Sequence, residues 1–289
     1  MSASRRLELR AGRVRKDLDR AGFRIAHRLA GHSLFDLDRL VDLARRLPAR
    51  EIEYNVGDLP VGIDPSLTPG NGLSPEETLR RIATCRSWLV LKRVERDRDY
   101  GALMEECLRE IQDAAGEKIA GMRREEGFIF VSSPRSVTPY HLDPEVNFLL
   151  QIRGAKTCRL FPRSAVTPEE LEARFCGAHR NLEYRPALQR LARTFRMRAG
   201  DGLHIPVATP HWVANGDEVS VSFSITFRTA ASERLGALCR MNGHLRALGL
   251  HPSPAGRSPA RDGLKLMAFA GFRKLAHPLR SIRSGRADD

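Results

Sequence analysis

The chain has 289 residues, 42% hydrophobic and 29% charged, and a net charge of +13. That is enough chain to bury a core, and the composition is that of a globular protein rather than a disordered or fibrous one. No run of 18 apolar residues occurs and the N-terminus lacks an apolar signal core, so neither a transmembrane helix nor a secretory signal is expected, and the cytoplasm is the expected compartment.

The charge is uneven. Residues 1–50 carry 13 Lys/Arg against 6 Asp/Glu, and residues 231–289 carry 11 against 4, whereas residues 51–230 carry 24 against 25. Both ends are therefore basic and suit an acidic or flexible partner. No helix-turn-helix or zinc-finger pattern is readable, so nucleic acid is not expected as a partner. Only six of the 48 basic residues are lysines. Cys85, Cys107, Cys158, Cys176 and Cys239 show no C-x-x-C spacing and are odd in number, which argues against a disulfide framework or a zinc ribbon.

In chain order, Leu37, Leu40, Val41, Ala44 and Leu47 recur at helical spacing. A Pro/Gly-rich loop, Gly57 to Gly72, follows. Ser74-Pro75-Glu76-Glu77 is a capping box that opens a helix through Leu79 and Ile82. Trp88-Leu-Val-Leu reads as a strand. Tyr100, Leu103, Met104, Cys107, Leu108 and Ile111 mark a further helix ending near Gly116. Residues 1–120 thus read as a mostly helical region packing on a core.

From Phe128 the period changes to two. Strands are expected over Phe128–Ser133, Asn147–Arg153, Lys156–Phe161, Gly202–Pro206 and Val219–Phe227. The last alternates Ser220, Ser222, Ser224 and Thr226 with Val221, Phe223, Ile225 and Phe227. A second capping box, Thr167-Pro168-Glu169-Glu170, inserts a helix between strands. Residues 121–230 read as a jelly-roll core. Over 231–289 the helical period returns, with Leu235, Leu238, Met241, Leu245 and Leu248 in one stripe and Leu264, Met267, Phe272 and Leu275 in another. This basic pair of helices is a candidate for homodimerisation.

Thr138-Pro-Tyr-His141-Leu-Asp143 is the segment richest in chemistry. His141 and Asp143, two apart, share a face if they lie in a strand and can chelate one ion. A later histidine completes a 2-His-1-carboxylate set that leaves one face of Fe(II) open for cosubstrate and O2. His211 in Thr209-Pro-His-Trp-Val-Ala-Asn is the preferred third ligand, and His204 in Gly202-Leu-His-Ile-Pro is the rival. Strand alternation turns Tyr140 and Trp212 away from the ligands, toward packing.

With Asn147-Phe-Leu-Leu-Gln-Ile-Arg-Gly154-Ala-Lys156 and Gly200-Asp-Gly-Leu-His-Ile-Pro206, residues 125–230 resemble the cupin-like JmjC family of Fe(II)- and 2-oxoglutarate-dependent dioxygenases, in its asparaginyl-hydroxylase-like branch. The resemblance implies a double-stranded β-helix core, mainly β with added helices at both ends. It implies His141, Asp143 and His211 as catalytic iron ligands, Lys156 and Thr138 on the distal carboxylate of 2-oxoglutarate, and Asn147 as a further contact. Thr226 stands where that branch has an asparagine. An inward Lys156 on an otherwise apolar strand face is costly unless it meets an anion. The implied reaction is decarboxylation of 2-oxoglutarate to succinate coupled to C–H hydroxylation, with O2 as oxidant. A protein or peptide side chain is the expected substrate. The alternatives are a small amino acid or metabolite, or a non-enzymatic regulator whose basic ends bind nucleic acid.

Overall fold

The computed structural model describes residues 5–269 and 271. These fall into two compact units. The first runs to Ala165 and resumes over His179–Thr229, and the second takes Val166–Ala178 and the chain from Ala230 onward.

The first unit opens with β1 (Leu7–Glu8), α1 (Ala11–Asp17), β2 (Phe23–His27), α2 (Leu37–Arg46), β3 (Ile52–Val56), α3 (Pro75–Arg80), β4 (Ser87–Lys92) and α4 (Arg98–Ala115). Ser74 caps α3 with both arms of the capping box formed, and α4 stops where Gly116 takes a φ of 63°. α2, α3 and α4 fall where the apolar period and the Ser74 capping box place them, and α1 is an addition to that reading. The region before residue 120 also supplies four strands, of which only β4 is expected from the sequence, at Trp88–Leu91. β1, β2 and β3 run for only two to five residues, too short for a period of two to stand out.

The jelly roll follows: β5 (Arg123–Ser132), β6 (Val137–His141), β7 (Val146–Arg153), β8 (Ala155–Leu160), β9 (Arg193–Arg198), β10 (Asp201–Ile205), β11 (His211–Asn215) and β12 (Ser220–Arg228). An eight-stranded antiparallel sheet runs β1-β2-β10-β7-β12-β5-β4-β3, and a four-stranded sheet runs β6-β11-β8-β9. Gly154 makes the β7–β8 turn at φ 70°, and a Cβ there would lie 2.5 Å from the Val219 carbonyl oxygen.

One face of the large sheet is mainly apolar. Val146, Phe148, Leu150 and Ile152 of β7 and Val221, Phe223, Ile225 and Phe227 of β12 pack with Leu40, Val41, Leu103, Cys107 and Ile111 of the helices. Burying one such Phe or Leu contributes about 1.5–3 kcal/mol, so this layer fixes the sheet as a platform. The opposite face looks toward the small sheet. Leu149, Leu203 and Ile205 meet Cys158, Leu160, Phe195, Met197 and Val213 across the space between the two sheets. The Ser220, Ser222, Ser224 and Thr226 face of β12 points into that space and is buried.

The second unit contains α5 (Pro168–Phe175), capped by the Thr167 box, α6 (Ala230–Ala247) and a helix over residues 259–269. Glu172 is buried and accepts hydrogen bonds from Asn242 and Arg246 of α6. Leu238 of the first expected stripe is buried, while Leu248, Leu264 and Met267 are exposed. Phe272 and Leu275 lie outside the described residues. No helix among the described residues is long and apolar enough to cross a membrane.

Candidate metal centre

β6 and β11 are neighbours, and His211 stands opposite His141 in their register. The imidazole rings lie 4.1 Å apart, and the Nε2 atoms of His141 and His211 are each 3.8 Å from Asp143 Oδ2. One ligand atom from each residue falls within a 4.8 Å cluster, the one such group among the described residues. Both histidines are buried, and Asp143 is partly open.

The histidines are aimed by their own backbone. His141 Nδ1 bonds the Pro139 carbonyl at 2.7 Å, and His211 Nδ1 bonds the Thr209 carbonyl at 2.9 Å. A carbonyl only accepts, so each Nδ1 carries the proton and each Nε2 lone pair faces the cluster. Burial, with His211 alongside, holds the His141 imidazole well below its ordinary pKa, as a neutral ligand should be.

Asp143 reaches the cluster differently from the strand alternation expected of it. β6 ends at His141, and Asp143 sits in the turn that follows. The Asp143 carbonyl accepts a 2.8 Å hydrogen bond from the N–H of Ala208, a non-glycine residue at φ 54°. Arg163 grips the neighbouring Val207 carbonyl through Nη2 at 2.7 Å. The strained Pro206–Pro210 turn thus ties the backbone of the carboxylate ligand to the segment that delivers His211.

Thr138 lies three residues before His141, a spacing that puts two strand residues on opposite faces. The β6–β11 register shifts between His211 and Val213, so that Thr138 stands opposite Val213. Cross-strand partners share a face, and the bulge therefore turns Thr138 to the inner side with His141.

Lys156, on β8, is 6% exposed and faces inward with Cys158. No carboxylate lies within 4.0 Å of its ammonium among the described residues. The Cys158 thiol, pushed up by burial to about 11, is neutral. Burial without a counter-charge pulls the Lys156 ammonium down to about 8. Four residues of strand, about 13 Å, separate it from Leu160, which stands opposite His211.

On the large sheet, Asn147 and Thr226 stand opposite each other on the inner face. Asn147 Oδ1 accepts a 2.8 Å bond from Ser224 Oγ, so the amide NH2 is left to point elsewhere. The Thr226 hydroxyl donates to the Glu126 carbonyl at 3.1 Å. His204 is excluded from the cluster. It lies on the apolar face between Phe23 and Phe148, with Nε2 2.6 Å from the Leu18 carbonyl. Tyr140 packs with Phe161 and Tyr184, and Trp212 carries the Arg159 guanidinium at 4.3 Å.

Two features of the site were not singled out in the sequence. Asn215, opposite Lys156 on β11, is buried with its Oδ1 unpartnered and its Nδ2 on Ser136. Counting by twos from His211 reaches it. Arg180, whose charge contributes to lowering His141, pairs with Glu53 at 3.3 Å and lies over Trp88; no local pattern marks it.

Residues 106–235 match the family model described as the JmjC domain. This stretch of the chain is a JmjC domain. No curated protein matches the sequence. Among solved structures, the X-ray structure of E. coli ycfD is similar over 93% of this chain and 68% of that one, at 17% identity and a TM-score of 0.53. Structures of YcfD, a ribosomal oxygenase from Escherichia coli, with cobalt and succinic acid and with cobalt and 2-oxoglutarate are 16% and 17% identical. Each gives a TM-score of 0.49 and covers 94% of this chain and 68% of that one. The likeness to ycfD is one of fold. The JmjC domain with a His-Asp-His cluster makes this chain a 2-oxoglutarate-dependent oxygenase, with Fe(II) as its metal and 2-oxoglutarate as its cosubstrate.

Proposed function

We propose that this oxygenase hydroxylates an amino-acid side chain of a protein or peptide, with His141, Asp143 and His211 as the iron ligands and Lys156 as the anchor of 2-oxoglutarate. The observation that carries this reading is the pairing of two features inside one barrel: a cluster of neutral nitrogen and carboxylate donors, and a buried ammonium with no protein counter-charge. A structural lysine would be paired or would snorkel to water. A dicarboxylate that chelates the metal at one end places its other carboxylate where such a cation stabilises it.

Iron and 2-oxoglutarate, when bound, supply the oxidising chemistry. The protein's own part is positional. The Pro139 and Thr209 carbonyls hold the histidine tautomers. Lys156 provides a charge and Thr138 a hydroxyl on the same inner surface. Ser224 fixes the Asn147 amide with its N–H groups free to donate, and Thr226 completes that wall. Arg180, held by Glu53, stands close enough to His141 to act on its charge, and we assign the surface around Arg180 and Trp88 to substrate.

A polypeptide substrate is supported by the description of E. coli YcfD as a ribosomal oxygenase. Five free thiols suit a reducing compartment, and we place the activity in the cytoplasm. Exposed Leu248, Leu264 and Met267 in the second unit support a homodimer through the C-terminal helices.

The test is succinate release by the Fe(II)-loaded protein against a peptide library, with mass spectrometry for products heavier by one oxygen atom. Peptide-stimulated succinate and an oxidised peptide are expected. Stimulation by free amino acids or metabolites alone overturns the substrate class. An unaltered biological effect of His141→Ala would favour a non-enzymatic regulator.

A further inference from the structure

The positive charge of the first fifty residues takes no part in the metal centre. Much of it lines a cleft of about 850 Å³ bordered by β1, β2 and the start of β9. Six guanidinium groups, those of Arg5, Arg10, Arg13, Arg24, Arg28 and Arg193, share this cleft with one carboxylate, Glu8. All six side chains are exposed. Arg28 pairs with Glu8 and Arg13 with Asp17. Arg5, Arg10, Arg24 and Arg193 have no carboxylate within 4.0 Å among the described residues.

A second cleft of about 380 Å³ shares Arg193 and Phe195 with the first. It adds Arg20 and Arg163 against one carboxylate, Asp19. The two clefts therefore make one groove, with Arg193 at the join. Of its apolar lining, Leu7, Phe23, Ile25 and Phe195 are 1–7% exposed and already spent on the core, while Leu191 of the second cleft is 44% exposed. What the groove offers a charged ligand is a row of guanidinium forks.

We propose that this groove binds the phosphodiester backbone of a nucleic acid strand. Guanidinium groups match phosphate oxygens two at a time, and a chain of phosphates supplies a charge at every unit along a groove of this kind. Like charges held side by side repel, and a bound polyanion relieves that repulsion while releasing its own counterions. An acidic peptide would also satisfy the charge, but its carboxylates sit on flexible side chains, whereas a nucleic acid strand carries its charge in the backbone at every unit. With no exposed aromatic ring in the lining, contacts fall on the backbone and binding is tolerant of sequence. The absence of a helix-turn-helix or zinc-finger pattern is consistent with this, because the groove is assembled from separate segments at a sheet edge.

The test uses the full chain and fluorescence anisotropy with a labelled oligouridylate and a labelled glutamate oligomer of equal charge, across a salt series. The proposal expects the oligouridylate to bind the more tightly. Arg24→Glu with Arg193→Glu is expected to weaken it by about tenfold or more, a loss of about 1.4 kcal/mol. The slope of log affinity against log salt is expected to fall by about 0.7 for each phosphate that is no longer neutralised. Arg50→Glu with Arg109→Glu, both exposed and off the groove, is expected to change affinity by less than about twofold. Thermal melting verifies folding, and Arg24→Gln with Arg193→Gln serves if the reversals do not fold. Equal weakening by the two charge-reversal pairs overturns the proposal, as does a glutamate oligomer that binds as tightly as the oligouridylate.

Discussion

The two faces of the eight-stranded sheet are both buried, yet they are built from opposite chemistries. On β7 and β12, Phe148, Leu150, Phe223 and Ile225 form a layer that any tight apolar packing against helices would require. On the same strands, Asn147, Gln151, Ser222 and Ser224 face the small sheet, linked by the Ser222–Gln151 and Ser224–Asn147 hydrogen bonds. Burying polar groups costs free energy unless each finds a partner, and most of these find one another. The Lys156 ammonium does not, and under the proposed function 2-oxoglutarate completes the set there. Two histidines seven residues apart have different surroundings: His204 on β10 lies on the apolar face of the large sheet, and His211 on β11 of the small sheet belongs to the metal-ligating cluster.

The largest effect is expected where the polar side is broken at the metal. His211→Ala removes one of three ligands, and Fe(II)-dependent succinate formation should fall by at least about 100-fold, with little change in the apolar layer. Secondary structure by circular dichroism is expected to stay intact; its collapse would mean that His211 is structural.

Lys156→Met is the next test. Loss of a charge-assisted contact worth about 2–3 kcal/mol predicts a 2-oxoglutarate KM about 30–150-fold higher. The same change should raise the melting temperature of the ligand-free protein, because it removes a buried unpaired charge. The pH dependence has a definite sign. The ammonium in the folded chain titrates near 8, below its ordinary 10.5, so between these values the unfolded chain binds more protons. Stability of the ligand-free protein should therefore rise with pH across that window, and 2-oxoglutarate affinity should fall as pH climbs above about 8. A KM that is flat from pH 7 to pH 9 would contradict the assignment.

His204→Ala tests the apolar face. Removing a ring packed between Phe23 and Phe148 should lower stability by about 2–4 kcal/mol in urea unfolding while leaving Fe(II) affinity unchanged. Ser224→Ala is the mildest. Freeing the Asn147 amide should raise the 2-oxoglutarate KM by about fivefold, equivalent to about 1 kcal/mol, with kcat nearly constant.

Much of this architecture is legible in the sequence because local chemistry agrees with it. The Ser74 and Thr167 capping boxes form as read, and the alternation of β12 splits into its two faces. The His-x-Asp spacing and the prolines around His211 point to the ligands. The less legible parts depend on contacts distant in sequence. β1 and β2 are short and become strands only through pairing, β2 to β10 and β1 to β2. The bulge that turns Thr138 inward is a property of the β6–β11 register, and Arg180 gains its place from Glu53, which lies 127 residues away.

The most direct measurement is an anaerobic titration of the purified chain with Fe(II) and 2-oxoglutarate, followed by visible absorbance and then by succinate after O2 is admitted. The account predicts one metal and one 2-oxoglutarate per chain, a charge-transfer band that needs both, and loss of the band in His211→Ala. A folded wild-type chain that binds Fe(II) but fails to bind 2-oxoglutarate, or that gives no band and no succinate, would contradict it.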